Sequence, residues 1–309
     1  MSKVVAVVVT WRRERELERL LTSLESSSVP LQGCVVMDHA GTLPEETARR
    51  SFPVRIVRDL SNPGPGAGWA NGTLRAGEIF GETDILYLDD DVVIPPDTLE
   101  ILLRERGEAR AICPLLEDGS GHLWGFPEPV SKADRKTIRA AKTPWDALAL
   151  LGPGPFPFCW ATGACLLVTA GGIIEVGLHR KDFWMLGEDL EFSMRLAAGG
   201  GAVFTCLAAV PHLPPDPLSA AEARDSDYRK FCSLLQNLSY LSFHSSRSGH
   251  LWRYLPGNFR RFFRTHGMRA GAVLDAAICF WQGAVSGHPA GHKSGDALRE
   301  RIARRKLRR

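Results

Sequence analysis

A chain of 309 residues, 44% of them apolar and 24% charged, can bury a sizeable core in one large domain or two, and its make-up is that of a soluble globular protein. Its net charge of +3 is too small by itself to point to nucleic acid, and no apolar run approaches the roughly 20 residues that a membrane-spanning helix requires. Seven cysteines, odd in number, scattered and lacking any C-x-x-C pair, are expected to be reduced core thiols of a cytosolic protein.

Residues 3–10 are continuous and β-branched, as an interior parallel strand should be. The apolar part is short and runs into Thr10-Trp11-Arg12-Arg13 without a small-residue cleavage site, which predicts a first strand and not a signal peptide. Leu17, Leu20, Leu21 and Leu24 follow at helical spacing. A second strand is expected over residues 33–37, closing on Asp38, then a helix start at Pro44-Glu45-Glu46 and a third strand over residues 54–57. Strands alternating with helical segments predict an α/β fold with a mostly parallel sheet, which binds ligands at the carboxyl ends of its strands. Thr10, Asp38 and Asp89 fall at such ends and are expected to converge on one crevice.

The segment from Asn62 to Gly72 carries glycines at 64, 66 and 68. It reads as a loop able to approach a ligand closely, leading into a helix over residues 69–80 whose N-terminus favours a diphosphate; a plain surface loop is the alternative. Next comes the stretch around which the chain is organised, the apolar run 85–88 ending in Asp89, Asp90 and Asp91. Carboxylates are too costly to bury unpaired, so they must lie at the strand's end, with Asp89 and Asp91 on one side and Asp90 on the other. Such a pair suits a hard divalent cation, Mg²⁺ or Mn²⁺; the alternative is a solvated turn leading to Pro95-Pro96-Asp97.

Beyond a helix through Leu99, Leu102 and Leu103 and a strand over residues 109–114, residues 119–126 are expected to form a hairpin arm. Residues 131–150 show no clear period. One strand over residues 158–169 and a short helix over 171–176 follow. A second constellation, Gly187-Glu188-Asp189-Leu190-Glu191-Phe192, opens a helix whose first turn holds carboxylates, where capping is as good a reading as chemistry. A strand over residues 202–210 ends at Pro211-His212.

These blocks, in this order, resemble the inverting glycosyltransferases of family 2, with the GT-A fold: residues 7–13, the Asn62–Gly72 segment, residues 88–91 and residues 187–192. The likeness covers residues 1–215, and within the family the chain is most similar to rhamnosyl- and galactofuranosyltransferase-like members. The resemblance implies a Rossmann-like GT-A catalytic domain over residues 1–218 with a helical, basic extension over residues 219–309. It implies that Thr10, Arg13 and Asp38 line the nucleotide pocket, with Asp90 also at the donor, and that Asn62, Gly68 and Asn71 lie beside the diphosphate and donor sugar. Asp89 and Asp91 match the acidic motif, with His212 a further metal ligand for Mg²⁺ or Mn²⁺, and Asp189 matches the catalytic base. Two departures stand out: Trp11-Arg12 replaces the usual Tyr-Asn, and Glu188 stands where many relatives carry Asp.

The implied activity is transfer from a UDP- or dTDP-linked sugar to a glycan or lipid-linked hydroxyl acceptor, in cell-surface polysaccharide or glycolipid synthesis. A sugar nucleotidyltransferase and a non-catalytic carbohydrate or lipid-surface binding protein are the alternatives. Six arginines and no acid between residues 247 and 269 interleave with Trp252, Tyr254, Phe259, Phe262 and Phe263, and seven basic residues crowd the 299–309 tail. This pattern suits either peripheral contact with the inner face of the plasma membrane or a core-facing aromatic stripe with a solvated basic back.

Overall fold

The computed structural model describes residues 3–213, 220–244, 254–266 and 270–285. A sheet of nine strands forms its centre: β1 (Val4–Thr10), β2 (Gly33–Asp38), β3 (Val54–Arg58), β4 (Asp84–Asp89), β5 (Ala111–Glu117), β6 (Glu128–Pro129), β7 (Phe156–Trp160), β8 (Cys165–Val168) and β9 (Ala202–Pro211). Their spatial order is β3-β2-β1-β4-β8-β5-β9-β7-β6. The first four run parallel, β8 is inserted antiparallel between β4 and β5, and β9 runs parallel to β5. The sheet is thus mixed, with a parallel half that matches the alternating strands and helices in the sequence.

Helices cover both faces because β1 up to Val9 and β4 between Asp84 and Asp89 are apolar at every position. Val5, Val7, Ile85 and Tyr87 face α2 (Gly64–Phe80) and α7 (Glu188–Ala197). Val4, Ala6, Val8, Leu86 and Leu88 face α1 (Glu14–Glu25) and α3 (Thr98–Glu105). Burying such a side chain stabilises by about 1.5–3 kcal/mol, so a charge placed in β1 on either face would break the fold.

Several expected elements differ. The segment expected as a glycine loop is already helical: α2 starts at Gly64, and glycine is required there because it adopts φ +84° against the Trp184 carbonyl, where any Cβ would collide. Gly68 likewise sits inside α2, where a Cβ would meet Val9 and His39, so this glycine lets helix approach sheet closely. The helix expected at Pro44 is one 3₁₀ turn, Glu45–Ala48. Residues 119–126 form no strand, joining their surroundings only through isolated links such as Trp124 N–H to the Leu116 carbonyl. The single strand expected over 158–169 is two, β7 and β8, because the chain turns at Gly163.

Residues 131–151 make two short helices, α4 (Lys132–Ala140) and α5 (Pro144–Leu151), started by Ser131 and Thr143 caps. The short helix α6 (Ala170–Val176) follows β8. Past β9, three helices form a layer with its own small core: α8 (Ala220–His244), α9 (Tyr254–His266) and α10 (Ala270–Val285). Every cysteine is free. No described helix is long and apolar enough to cross a membrane.

Candidate active site

β1, β2 and β4 end side by side: Thr10 is in register with Asp38, and Val9 with Asp89. Apolar residues fill each strand to that edge, so the polar residues emerge together where the sheet stops. Asp90 and Asp91 are buried, and the Arg13 guanidinium, reached from the loop after β1, bridges both at 2.8 Å. On the far side His212 Nε2 lies 3.2 Å from Asp91 Oδ1. Main chain fixes that placement: Leu213 N–H donates to the Asp91 carbonyl, Val93 N–H to that of Pro211 and His212 N–H to that of Glu117. Ligand atoms of Asp89, Asp91 and His212 lie within 4.8 Å of one another.

Crowding shows in the protonation equilibria. Burial first, and then the Asp91 and Asp90 charges, push Asp89 up to about 7. Burial raises Asp90 to about 6, against the opposing pull of Arg13 and the Thr10 hydroxyl. For Asp91 burial is outweighed by the His212 hydrogen bond and charge together with Arg13, and the carboxyl falls below its ordinary value. His212 rises for the reciprocal reason.

Asp189, in the first turn of α7, reaches the same edge, near enough for its charge to raise Asp89 further. Its carboxylate accepts the N–H of Leu190 (2.8 Å) and of Gly163 (3.2 Å). Burial nevertheless pushes it above the ordinary carboxylate value. Glu188 is buried beside it with Oε2 unpartnered, and burial and the Asp189 charge raise its carboxyl well above normal. Among the described residues neither acid has an ion-pair partner.

Other expected pocket residues have different settings. Asp38 is turned into its own loop, where its carboxylate accepts the N–H groups of Ala40 (3.1 Å), Gly41 (2.7 Å) and Leu43 (3.2 Å); a short acid at a strand end satisfies the turn that follows. Asn71 accepts from Lys181 Nζ at 2.6 Å and lines a groove of about 280 Å³ with Met37, Val57 and Arg58, apart from the acids at 89–91. Asn62, at φ +45°, accepts Trp184 Nε1–H on its carbonyl. Trp11, just past the end of β1, is exposed with Arg12 over its ring.

Sequence reasoning missed Trp124. Its ring stacks on His212 at 3.7 Å with 12° between planes, leaving 38% of the residue exposed. The available signal was a tryptophan in a glycine-rich segment with no helical or strand periodicity. His179 was also missed; it is buried against Phe192, Tyr87 and Trp69 beneath the site, and burial pushes its pKa down.

The donor set fits a divalent metal. Two carboxylates and an imidazole converge, and of the two carboxylates Asp89 is the one whose raised pKa a dication would relieve. A buried carboxylate held by N–H groups nearby can accept a proton.

No family model matches the chain. Over 222 residues it is 26% identical to N-acetylglucosaminyl-diphospho-decaprenol L-rhamnosyltransferase of Mycobacterium tuberculosis, covering 65% of this chain and 72% of that protein. Solved structures with the same fold include GalNAc-T7 with UDP, GalNAc and Mn²⁺ (TM-score 0.58, 14% identity, 100% of this chain) and S. aureus TarS 1-349 in complex with UDP-GlcNAc (TM-score 0.55, 16% identity). The TarS match covers 99% of this chain and 87% of that one, whereas the chain spans 58% of GalNAc-T7. The fold is GT-A, and the relatives support the family 2, rhamnosyltransferase-like resemblance carried by the motifs.

Proposed function

We propose that this protein is an inverting, metal-dependent glycosyltransferase that moves a sugar from a nucleoside-diphosphate donor to a hydroxyl of a lipid-linked glycan. One observation carries the reading: Asp89, Asp91 and His212 converge at the strand ends while Asp189 approaches the same cluster from the start of α7. The acceptor class follows from the mycobacterial relative, whose name specifies a diphospho-decaprenol acceptor.

Asp89, Asp91 and His212 would hold the cation, and the imidazole tips this mixed set from Mg²⁺ towards Mn²⁺. When bound, a divalent cation there supplies neutralisation of the charge that develops on the leaving diphosphate. Arg13 adds fixed positive charge on the same side. Thr10 and Asp90 stand beside it at the end of β1 and β4. Asp189 accepts the proton of the attacking hydroxyl; the backbone donors of Leu190 and Gly163 orient its carboxylate. With one base and no second carboxylate assigned as nucleophile, attack occurs in a single displacement and inverts the anomeric centre.

The test is incubation with UDP-, GDP- and dTDP-sugars, Mn²⁺ and a polyprenyl-diphosphate-linked acceptor, following the released phosphate species and the anomeric configuration of the product by NMR. Nucleoside diphosphate with inverted product is expected. Formation of nucleoside triphosphate and sugar 1-phosphate, only when pyrophosphate is added, would identify a nucleotidyltransferase, and binding without turnover a carbohydrate-binding protein.

A further inference from the structure

The aromatic and arginine-rich sequence near the C-terminus allowed either a membrane-facing or a core-facing stripe, and the two helices divide these roles. In α9 the aromatics face inward: Phe259 and Phe263 pack with Phe231, Leu235 and Phe280 of the helical layer. Arg260, Arg261 and Arg264 are left exposed. Trp252, Arg253 and the 299–309 tail lie outside the described residues, as do the side chains of Tyr254 and Phe262.

In α10 the inward face is Ala276, Cys279 and Phe280, packed on α8. The opposite face repeats large apolar residues at helical spacing: Leu274 (60% exposed), Ile278 (44%), Trp281 (66%) and Val285 (57%). A solvated helix back should be polar. Four large apolar side chains in one exposed line call for a partner.

We propose that the outer face of α10, together with the exposed arginines of the neighbouring α9, is a docking surface for an anionic lipid bilayer. Charge decides the occupant. α9 carries no acid, and on α10 the one acid, Asp275, is off the stripe and accepts a hydrogen bond from the Tyr228 hydroxyl at 2.6 Å. A second copy docked through α10 by two-fold symmetry would set like-charged α9 helices on both sides of one interface, whereas an anionic surface neutralises them. Trp281 suits the boundary between headgroups and acyl chains, and each arginine near such a surface contributes about a five-fold gain in partitioning. The inference deepens the reading of a lipid-linked acceptor but is tested without catalysis.

Full-length protein, without nucleotide or acceptor, is co-sedimented with vesicles of phosphatidylcholine alone or mixed with phosphatidylglycerol. Partitioning onto the mixed vesicles, weakened by added salt, is expected. Leu274→Ser/Trp281→Ser and Arg260→Glu/Arg264→Glu should each lower it by about ten-fold or more, with thermal unfolding temperature and UDP binding kept as controls. Binding equal to wild type in both folded variants would overturn the proposal, as would failure of the wild type to prefer phosphatidylglycerol. A dimer in solution that Leu274→Ser/Trp281→Ser converts to monomer would also overturn it, in favour of a second copy. Should a variant unfold, Ile278→Ser and Arg264→Gln, each a single change at an exposed position, are read in its place against the same criteria.

Discussion

The two acidic groups at the rim of the sheet are both buried and handle the cost of burial in opposite ways. The strand-end acids at 89–91 face cationic side chains, Arg13 on one side and His212 on the other, and still leave Asp89 raised to about 7. The helix-start pair Glu188 and Asp189 has no cationic partner among the described residues; Asp189 is held by N–H groups of Leu190 and Gly163. Under the proposed function the first group, where two carboxylates and an imidazole converge, holds the cation, and the second, held by N–H groups, takes the proton.

The sharpest way to break that assignment is to neutralise one group at a time. Asp189→Asn should lower kcat by about 10³-fold or more while donor affinity, measured by calorimetry, stays within about two-fold. Loss of donor binding instead would move Asp189 to the other group. Asp91→Ala, or chelation of metal from the wild type, should cost about 10²–10³-fold in kcat/KM and abolish the response to added Mn²⁺. An unchanged Mn²⁺ titration would remove Asp91 from the cation site.

Smaller effects sharpen the comparison. Gly64→Ala places a Cβ into the Trp184 carbonyl at a positive φ, so a loss of about 2–3 kcal/mol and a Tm lower by several degrees are expected, measured by calorimetric unfolding. Trp124→Ala should raise KM by about ten-fold with kcat little changed, because the ring that supports His212 also offers an exposed face to a sugar. Last, a base must be deprotonated to work and burial raises the Asp189 pKa, so activity should fall on the acid side at a pH above the ordinary aspartate value of about 3.9. A pH–kcat profile flat down to pH 4 would contradict this.

What was legible in the sequence was whatever solvation alone decides. The apolar run of β4 cannot continue through three carboxylates, so the edge of the sheet could be placed there, and the Leu17–Leu24 spacing gave α1. Glycine was misread because its value here lies in what it allows to come near. Gly68 looks like loop chemistry until Val9 and His39 are known to press on it. Asp38 matched a nucleotide-pocket position, but a carboxylate two residues before a turn is available to that turn first. The Trp124 and His212 stack joins residues far apart in the chain through irregular backbone, where no periodicity points from one to the other.

The segment leading into Asp189 has almost no freedom of its own. Ser233 and Asn237 of α8 hydrogen-bond the carbonyls of Met185 and Leu186, and Arg180 lies over the Tyr240 ring, while from the other side Gly64 and Gly66 of α2 abut Trp184 and Phe183. α8 is in turn the helix on which α10 rests. The helix α8 therefore lies between the α10 stripe and the segment that leads to Asp189. If the proposed function holds, a change in how α8 packs would reach the carboxylate at 189 through Met185 and Leu186, whereas the residues at 89, 91 and 212 are fixed by strand ends.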